Sequence, residues 1–293
     1  MTQPNGLSAL KTFAERFVGP LDHIVDSSRQ YGRRSVMWRL RARDGSQYYL
    51  KRPETIQHYY AEVRALQEWL PSLAETHWWR GPQVIASSDD LGVLIMTRLP
   101  GDILESVAVL PESEILAYRL AGRFASRLHS LKVDLSRESK VQDYSRPVLD
   151  RYLGLATGAV DDATLAWAES LFCAPGVWDG LALVPLHCDF SPRNWLVGSG
   201  DFAIGIIDWE RSRPGFWVED FQRMTHDHWH HRPGLRDAFF EGYGRLPAER
   251  EWRQANLVTL INAIGGVPWA ASRGDTQFES YNRSLIETFR RTL

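Results

Sequence analysis

His187-Cys188-Asp189-Phe190-Ser191-Pro192-Arg193-Asn194 is the stretch on which the reading of this 293-residue chain turns. It places a carboxylate and, five residues later, a carboxamide in one short polar loop. Fourteen residues after Asn194, Asp208 stands at the end of the apolar run 202–207, which reads as a strand. Transfer of a phosphoryl group needs a carboxylate to orient the attacking hydroxyl, and hard oxygen ligands for the magnesium ions that bridge the phosphates. A loop carrying Asp and then Asn, beside a strand ending in Asp, supplies both. The competing reading is a chance His, Asp and Asn in a surface loop, and the spacing together with the second Asp weighs against it.

Towards the N-terminus the pattern is one of strands. Ser35–Arg43 alternates, Asp44-Gly45 is a turn signal, and Gln47–Lys51 forms the returning arm of a hairpin. Tyr60, Val63, Leu66, Trp69 and Leu70 then recur at helical spacing, with Pro71 as the expected stop. Short strands are expected near Gln83–Ala86 and Gly92–Thr97. Lys51 ends the hairpin and Glu62 follows eleven residues later, inside the helix. A lysine so placed can hold the α- and β-phosphates of a nucleotide, with the helix glutamate fixing its ammonium. A solvated lysine and a surface glutamate are the bland alternative, and Glu68 is a less suitable partner.

Arg98-Leu99-Pro100-Gly101 punctuates the chain, and the character changes there to long helices. The boundary expected from this is a strand-rich lobe over 1–97 and a helix-rich lobe over 98–293. Glu112–Leu131 is strongly amphipathic, Ser136–Pro147 reads as a polar connection, and helical patterns resume to Phe172. Residues 182–207 read as short strands around a loop, and the chain from Phe216 as helical.

With these residues in view, the sequence resembles the aminoglycoside phosphotransferase family of the protein-kinase-like superfamily. That family carries His-Gly-Asp, four residues, then Asn, and later an Ile-Asp-Trp-Glu-like segment. Here stand His187-Cys188-Asp189, Asn194 and Ile207-Asp208-Trp209-Glu210. Leu128-His129-Ser130-Leu131 and Phe239-Phe240-Glu241-Gly242-Tyr243-Gly244 extend the likeness, which runs from about Leu21 to Tyr243. The resemblance implies an α+β, bilobal fold, with a small antiparallel sheet and one main helix before a larger helical lobe. It implies ATP or GTP and Mg2+, with Asp189 as catalytic base or hydroxyl-orienting group and Asn194 and Asp208 as metal ligands. His187 would be structural in the loop, Asp220 a buried brace for it, and Met96, Arg98 and Leu99 a hinge beside the adenine. Two departures stand out. Cys188 replaces a glycine, which is tolerable only where φ stays negative, and Arg193 stands where small residues are frequent.

The turn spanning Ser27, Ser28, Arg29, Gln30, Tyr31 and Gly32 is the candidate phosphate loop, through the hydroxyls and amides of Ser27 and Ser28. With one glycine it is no Gly-x-Gly-x-x-Gly cradle. Glu219, Asp227 and Glu241 are candidates for the rim of a substrate pocket. His226 and His230 share a helical spacing, but a solvated helix end outweighs a metal site there. Trp78-Trp79 and Trp229 are candidates to stack on a ligand.

A net charge of -2 excludes the basic field that draws a protein onto nucleic acid or anionic membrane. Lys and Arg number 12 against 10 Asp and Glu over residues 1–97, and 22 against 26 over the rest, so the acidic later part suits a cationic substrate. Two cysteines make no disulfide framework. The absence of a leader pattern or a long apolar run leads to the expectation of a cytoplasmic protein with no membrane partner. The expected activity is therefore phosphorylation of a hydroxyl on a small cationic molecule, an aminoglycoside or tuberactinomycin-type antibiotic first. A metabolite kinase for choline, ethanolamine, homoserine or a sugar is the alternative. A catalytically dead nucleotide-binding scaffold, and a hydrolase using Cys188 with His187, are the rivals from other classes.

Overall fold

The computed structural model describes residues 4–28, 35–73, 77–132, 141–180, 182–198 and 203–293. They gather into two compact units. One comprises Met1–Leu131, His187–Arg213 and Gly234–Gly244, the other Lys132–Leu186, Pro214–Pro233 and Arg245–Leu293.

The first unit opens with α1 (Pro4–Val18), followed by β1 (Leu21–Asp26), β2 (Val36–Ala42) and β3 (Gln47–Arg52). Next come α2 (Ile56–Arg64), a π turn at Ala65–Trp69, and a last helical turn, α3 (Leu70–Ser72). β4 (Trp79–Arg80), β5 (Val84–Ser88) and β6 (Val93–Thr97) complete this region. Five strands form an antiparallel sheet in the order β1-β2-β3-β6-β5. The β2–β3 hairpin closes at Arg41↔Gln47, where the Ser46 amide donates to Asp44 Oδ1 at 2.8 Å and Gly45 takes φ 88°.

The helix α1 lies ahead of the expected start at Leu21. Its Leu10 and Ala14, four apart, are fully buried in one apolar cluster with Trp38, Leu40, Leu50 and Ile95. That contact secures a helix whose sequence holds only four turns. Along β3 the side chains alternate, so Leu50 enters this cluster and Lys51 is committed to the opposite face of the sheet. The Thr55 hydroxyl caps α2 by accepting from the His58 amide at 3.1 Å, and Tyr59 and Glu62, three apart, are buried. The helix passes Pro71 by one residue and ends at Ser72, so the expected stop is met within a residue.

A second sheet follows β7 (Asp102–Ile103) and α4 (Pro111–His129). It uses β9 (Trp195–Val197) and β10 (Ile204–Ile206) in the order β4-β10-β9-β7. It was not expected, since β4 and β7 hold two residues each and carry no readable alternation. α7 (Pro233–Tyr243) packs on α4 at backbone distance: a β-carbon on Gly122 would lie 1.9 Å from the Phe239 carbonyl oxygen, and one on Gly242 1.8 Å from that of Arg119. His129 Nδ1 and the Tyr243 hydroxyl, 3.1 Å apart, close the same junction.

The second unit holds α5 (Val141–Ala156), α6 (Asp162–Phe172), β8 (Leu183–Leu186) paired with β11 (Arg213–Phe216), α8 (Glu249–Ala271) and α9 (Thr276–Thr292). The polar connection expected over 136–147 is thus helical from Val141. Leu149, Phe172, Leu257, Leu260, Ile264 and Phe289 anchor an apolar core to which all four helices contribute. α8 buries residues around its whole circumference, as a central helix must.

Candidate active site

All the groups that follow in this site belong to the first unit. Lys51 is 3% exposed, and its Nζ sits between three carboxylates. It lies 2.8 Å from Glu62 Oε2, 2.7 Å from Asp208 Oδ1 and 3.0 Å from Glu210 Oε2. The strand β3 sets the lysine on the face away from Leu50, and α2 delivers Glu62 seven residues beyond its cap Thr55. Burial by itself pushes the Lys51 ammonium down, but Asp208, Glu62 and Glu210 outweigh it and hold the pKa above the ordinary lysine range. Glu62 moves up to about 7, first through burial and further through Asp208 and Glu210, against the pull of Lys51. Three acids share one cation, and Glu62, the most buried of them, is the one driven towards its neutral form.

Glu210 is the residue of this cluster to which sequence reasoning gave no role. The signal was the Ile207-Asp208-Trp209-Glu210 segment itself: Asp208 and Glu210 flank the fully buried Trp209, and both carboxylates reach the Lys51 ammonium although the backbone there is no strand. Ser35 locks Glu210 further, donating to its Oε2 at 2.7 Å while accepting from the Glu54 amide at 3.0 Å.

The 187–194 loop is fastened through its backbone. His187 is completely buried; its Nδ1 accepts from the Asp189 amide at 3.3 Å, which leaves Nε2–H to donate to the Ile207 carbonyl at 2.9 Å. With both ring nitrogens engaged, His187 has no nitrogen left to activate Cys188, so the hydrolase reading loses its base. Asn194 Nδ2 donates to the Asp189 carbonyl at 2.9 Å, and the Ile207 amide donates to the Asn194 carbonyl at 3.0 Å. The segment preceding Asp208 is thereby stitched to the loop that carries Asp189 and Asn194. The Asp189 carboxylate, 4% exposed, receives Arg193 Nη2 on both oxygens.

Beneath the loop lies an aromatic floor. Phe190 stacks on Phe124 at 6.1 Å, Trp209 meets Phe124 at 6.0 Å and His187 at 4.5 Å, and Trp195 packs on Tyr118 at 5.1 Å. Phe190 and Trp209 each follow a candidate catalytic or metal-binding acid, so the apolar neighbour anchors the position of the acid. Many of the tryptophans are consumed this way. Trp78 and Trp79 are 6% and 3% exposed, and Trp229, in the second unit, is 3% exposed; each is a packing residue rather than an open stacking face.

Cys188 departs from its expectation. Its φ is 60°, in the left-handed region, as is that of Asp208 at 70°. The backbone does need positive φ here, and a β-carbon is carried at a cost of about 1–2 kcal/mol. Such conformations persist where surrounding bonds over-determine them, as the His187 and Asn194 bonds do.

The remaining candidates are placed as follows. Ser27 Oγ donates to the Met37 carbonyl at 3.2 Å, and Ser28 Oγ accepts from the Met37 amide at 3.0 Å. Those hydroxyls prolong the β1–β2 ribbon instead of standing ready for phosphate. Arg29–Gly32 lie outside the described residues. Met96 is buried inside β6, in register with Tyr49 and Val84, while Arg98 is exposed and donates from Nη1 to Gln47 Oε1 at 3.2 Å; Leu99 is half-buried. Glu241 is exposed and paired with Arg119 at 2.7 Å across α7 and α4. In the second unit Asp220 is 3% exposed within the 3-10 turn Trp217–Phe221. Glu219, expected at a rim, is instead buried in that turn and accepts from the Phe216 amide at 2.7 Å, because a turn start has amides without internal partners. The Asp227 side chain lies outside the described residues.

Comparisons with known proteins bear on the fold and the family. Among solved structures, the chain superposes on the apoenzyme of macrolide 2'-phosphotransferase from Brachybacterium faecium with a TM-score of 0.65 and 18% identity, covering 97% of this chain and 98% of that one. An APH(2") enzyme in complex with GDP and kanamycin gives 0.72 and 16%, covering 98% and 99%. A streptomycin–ATP ternary complex of a further APH(2") enzyme gives 0.69 and 16%, covering 96% of each chain. No curated protein matches the sequence. The fold is accordingly the kinase-like one, and the model of the phosphotransferase enzyme family matches residues 30–256, so the chain belongs to that family.

Proposed function

We propose that the protein transfers the γ-phosphoryl group of ATP or GTP, with magnesium, to a hydroxyl of a small antibiotic, aminoglycosides and tuberactinomycins foremost. The observation that carries this reading is the buried meeting of Lys51 with Glu62, Asp208 and Glu210, hydrogen-bonded through Ile207 and Asn194 to the loop bearing Asp189. Family membership and the nucleotide and antibiotic complexes of its structural neighbours support it.

Lys51, oriented by Glu62, holds the α- and β-phosphates. Asp208 and Asn194 offer hard oxygens of the kind magnesium accepts beside phosphates, and Glu210 adds a third. Among Lys51, Glu62, Asp208 and Glu210 one negative charge exceeds the ammonium while Glu62 is neutral and two once it ionises, and surplus negative charge of this kind suits a divalent cation. When bound, magnesium neutralises charge on the β- and γ-phosphates. Asp189 accepts the hydrogen bond of the acceptor hydroxyl and aims its oxygen at the γ-phosphorus. The new P–O bond forms as the bond to the β–γ bridging oxygen breaks. The electron pair leaves with the nucleoside diphosphate, and the hydroxyl proton passes to Asp189 and on to water. Asp220 braces the fold from its buried turn, the segment 96–99 receives the purine, and the setting is cytoplasmic.

The test is nucleoside-diphosphate release with ATP or GTP and magnesium over aminoglycosides, tuberactinomycins, macrolides, choline, ethanolamine and homoserine, with Asp189→Ala as control. Release stimulated by an antibiotic and lost in the variant is the expected result. Stimulation by choline, ethanolamine or homoserine alone would replace the antibiotic reading with a metabolite kinase.

A further inference from the structure

The geometry points to Arg193 as a positioning residue for the transfer step, acting through Asp189. This deepens the phosphotransferase reading and rests on it. Asp189 is held at three places. Its amide is bound to His187 Nδ1 and its carbonyl to Asn194 Nδ2, which fixes the main chain, while Arg193 Nη2 contacts both carboxylate oxygens and fixes the side-chain end. Arg193 reaches the carboxylate from the turn Pro192–Asn194, four residues on. Its side chain is 24% exposed against 5% for Asp189, so one pole of the guanidinium adjoins solvent and the other a buried acid.

A carboxylate that orients an acceptor hydroxyl must stand beside the incoming phosphoryl group, whose oxygens are also negative. Two anionic groups meeting over one hydroxyl repel each other, and a cation locked on the carboxylate offsets that repulsion where it is greatest. Lys51 does not serve this purpose, since its ammonium is committed to Glu62, Asp208 and Glu210. Arg193 Nε, moreover, is a buried donor without a protein acceptor, as is the Ser191 hydroxyl in the same loop. Buried polar atoms are normally paired, and with Nε unmatched the buried hydrogen bonding of this guanidinium is what Nη2 makes to Asp189. Lysine would not reproduce this arrangement, having neither the planar fork nor the second edge.

The experiment compares Arg193→Gln and Arg193→Lys with the native protein in two assays. In steady-state transfer, Arg193→Gln should lower kcat by about 100-fold with both KM values within about 3-fold, and Arg193→Lys should recover part of the loss. In binding, ADP with magnesium should bind both variants as tightly as the native chain. The extra affinity gained on adding fluoroaluminate, a mimic of the transferring phosphoryl group, should vanish in Arg193→Gln. Native kcat or an undiminished fluoroaluminate gain in that variant would overturn the inference while leaving the phosphotransferase reading intact. A raised acceptor KM at unchanged kcat would also overturn it, making Arg193 a substrate contact only. If the native protein bound neither ADP with magnesium nor its fluoroaluminate complex, the phosphotransferase reading would fall and take this inference with it. Should Arg193→Gln not fold, Arg193→Lys carries the same comparison, with an intermediate loss expected and native behaviour contradicting it.

Discussion

Among the described residues, one ammonium meets three carboxylates around Lys51, whereas at Asp189 one carboxylate meets one guanidinium. The first end of the site carries surplus negative charge in a buried place, and the second is balanced within the protein. Taking charge out of water is costly unless it is paired. On the proposed reading a cation completes the Lys51 end, while the Asp189 carboxylate is already held by Arg193. In the proposed transfer, magnesium and nucleotide belong to the first end, and the acceptor hydroxyl to the second.

The comparison is broken most severely by removing an acid from either end. Asp208→Ala should abolish magnesium-nucleotide turnover, by about 1,000-fold or more, because a metal ligand and a partner of Lys51 vanish together. Asp189→Ala should cost about 100- to 10,000-fold while leaving nucleotide affinity near native, as measured by calorimetry beside the rate assay. Wild-type turnover by Asp208→Ala would sink the metal assignment.

Removing the cation comes next. Lys51→Met leaves three buried acids facing one another, at an expected loss of about 3–5 kcal/mol of stability near pH 8. Thermal melts should show a smaller loss at pH 5, where Glu62 is protonated. The Glu62→Gln variant sharpens the same point. Glu62 titrates at about 7 in the folded protein against an ordinary 4.5, so between those values the folded state keeps a proton that the unfolded chain has released. Its contribution therefore lowers stability as pH rises from 4.5 to 7. Glu62→Gln should flatten that part of the melting curve relative to the native protein; parallel curves would contradict the shift.

The smallest effects are expected away from both ends. Cys188→Gly relieves a left-handed cysteine at the expense of a freer unfolded chain, and should change stability by less than about 1 kcal/mol with turnover retained. Loss of turnover would reopen a role for the thiol. Breaking the exposed Arg119–Glu241 pair with Glu241→Gln should alter stability by no more than about 0.5 kcal/mol.

Much of this was legible because local chemistry dictated it. The 47–51 arm alternates, Asp44-Gly45 must turn, and Asp189, Asn194 and Asp208 stand at spacings that one loop and one strand can satisfy. The 1–97 and 98–293 lobes and the roles of the individual site residues remain proposals. What escaped was set by long-range packing. β4 and β7 are strands only because β9 and β10 offer them edges, and α1 is secured by a sheet formed later in the chain; Glu219, by contrast, turns inward for a local reason, the Phe216 amide three residues before it. The condition placed on Cys188 is not met, since its φ is positive, and nothing in the cysteine itself reveals a left-handed backbone that the bonds of His187 and Asn194 to the Asp189 main chain hold in place.

The most direct test of the unbalanced Lys51 end is calorimetric binding of ADP with and without magnesium, in the native protein and in Asp208→Ala. Magnesium should tighten ADP binding by about 10-fold or more in the native protein and leave the variant unmoved. Equal ADP affinity with and without magnesium in the native protein would contradict the claim that this end is completed by a divalent cation.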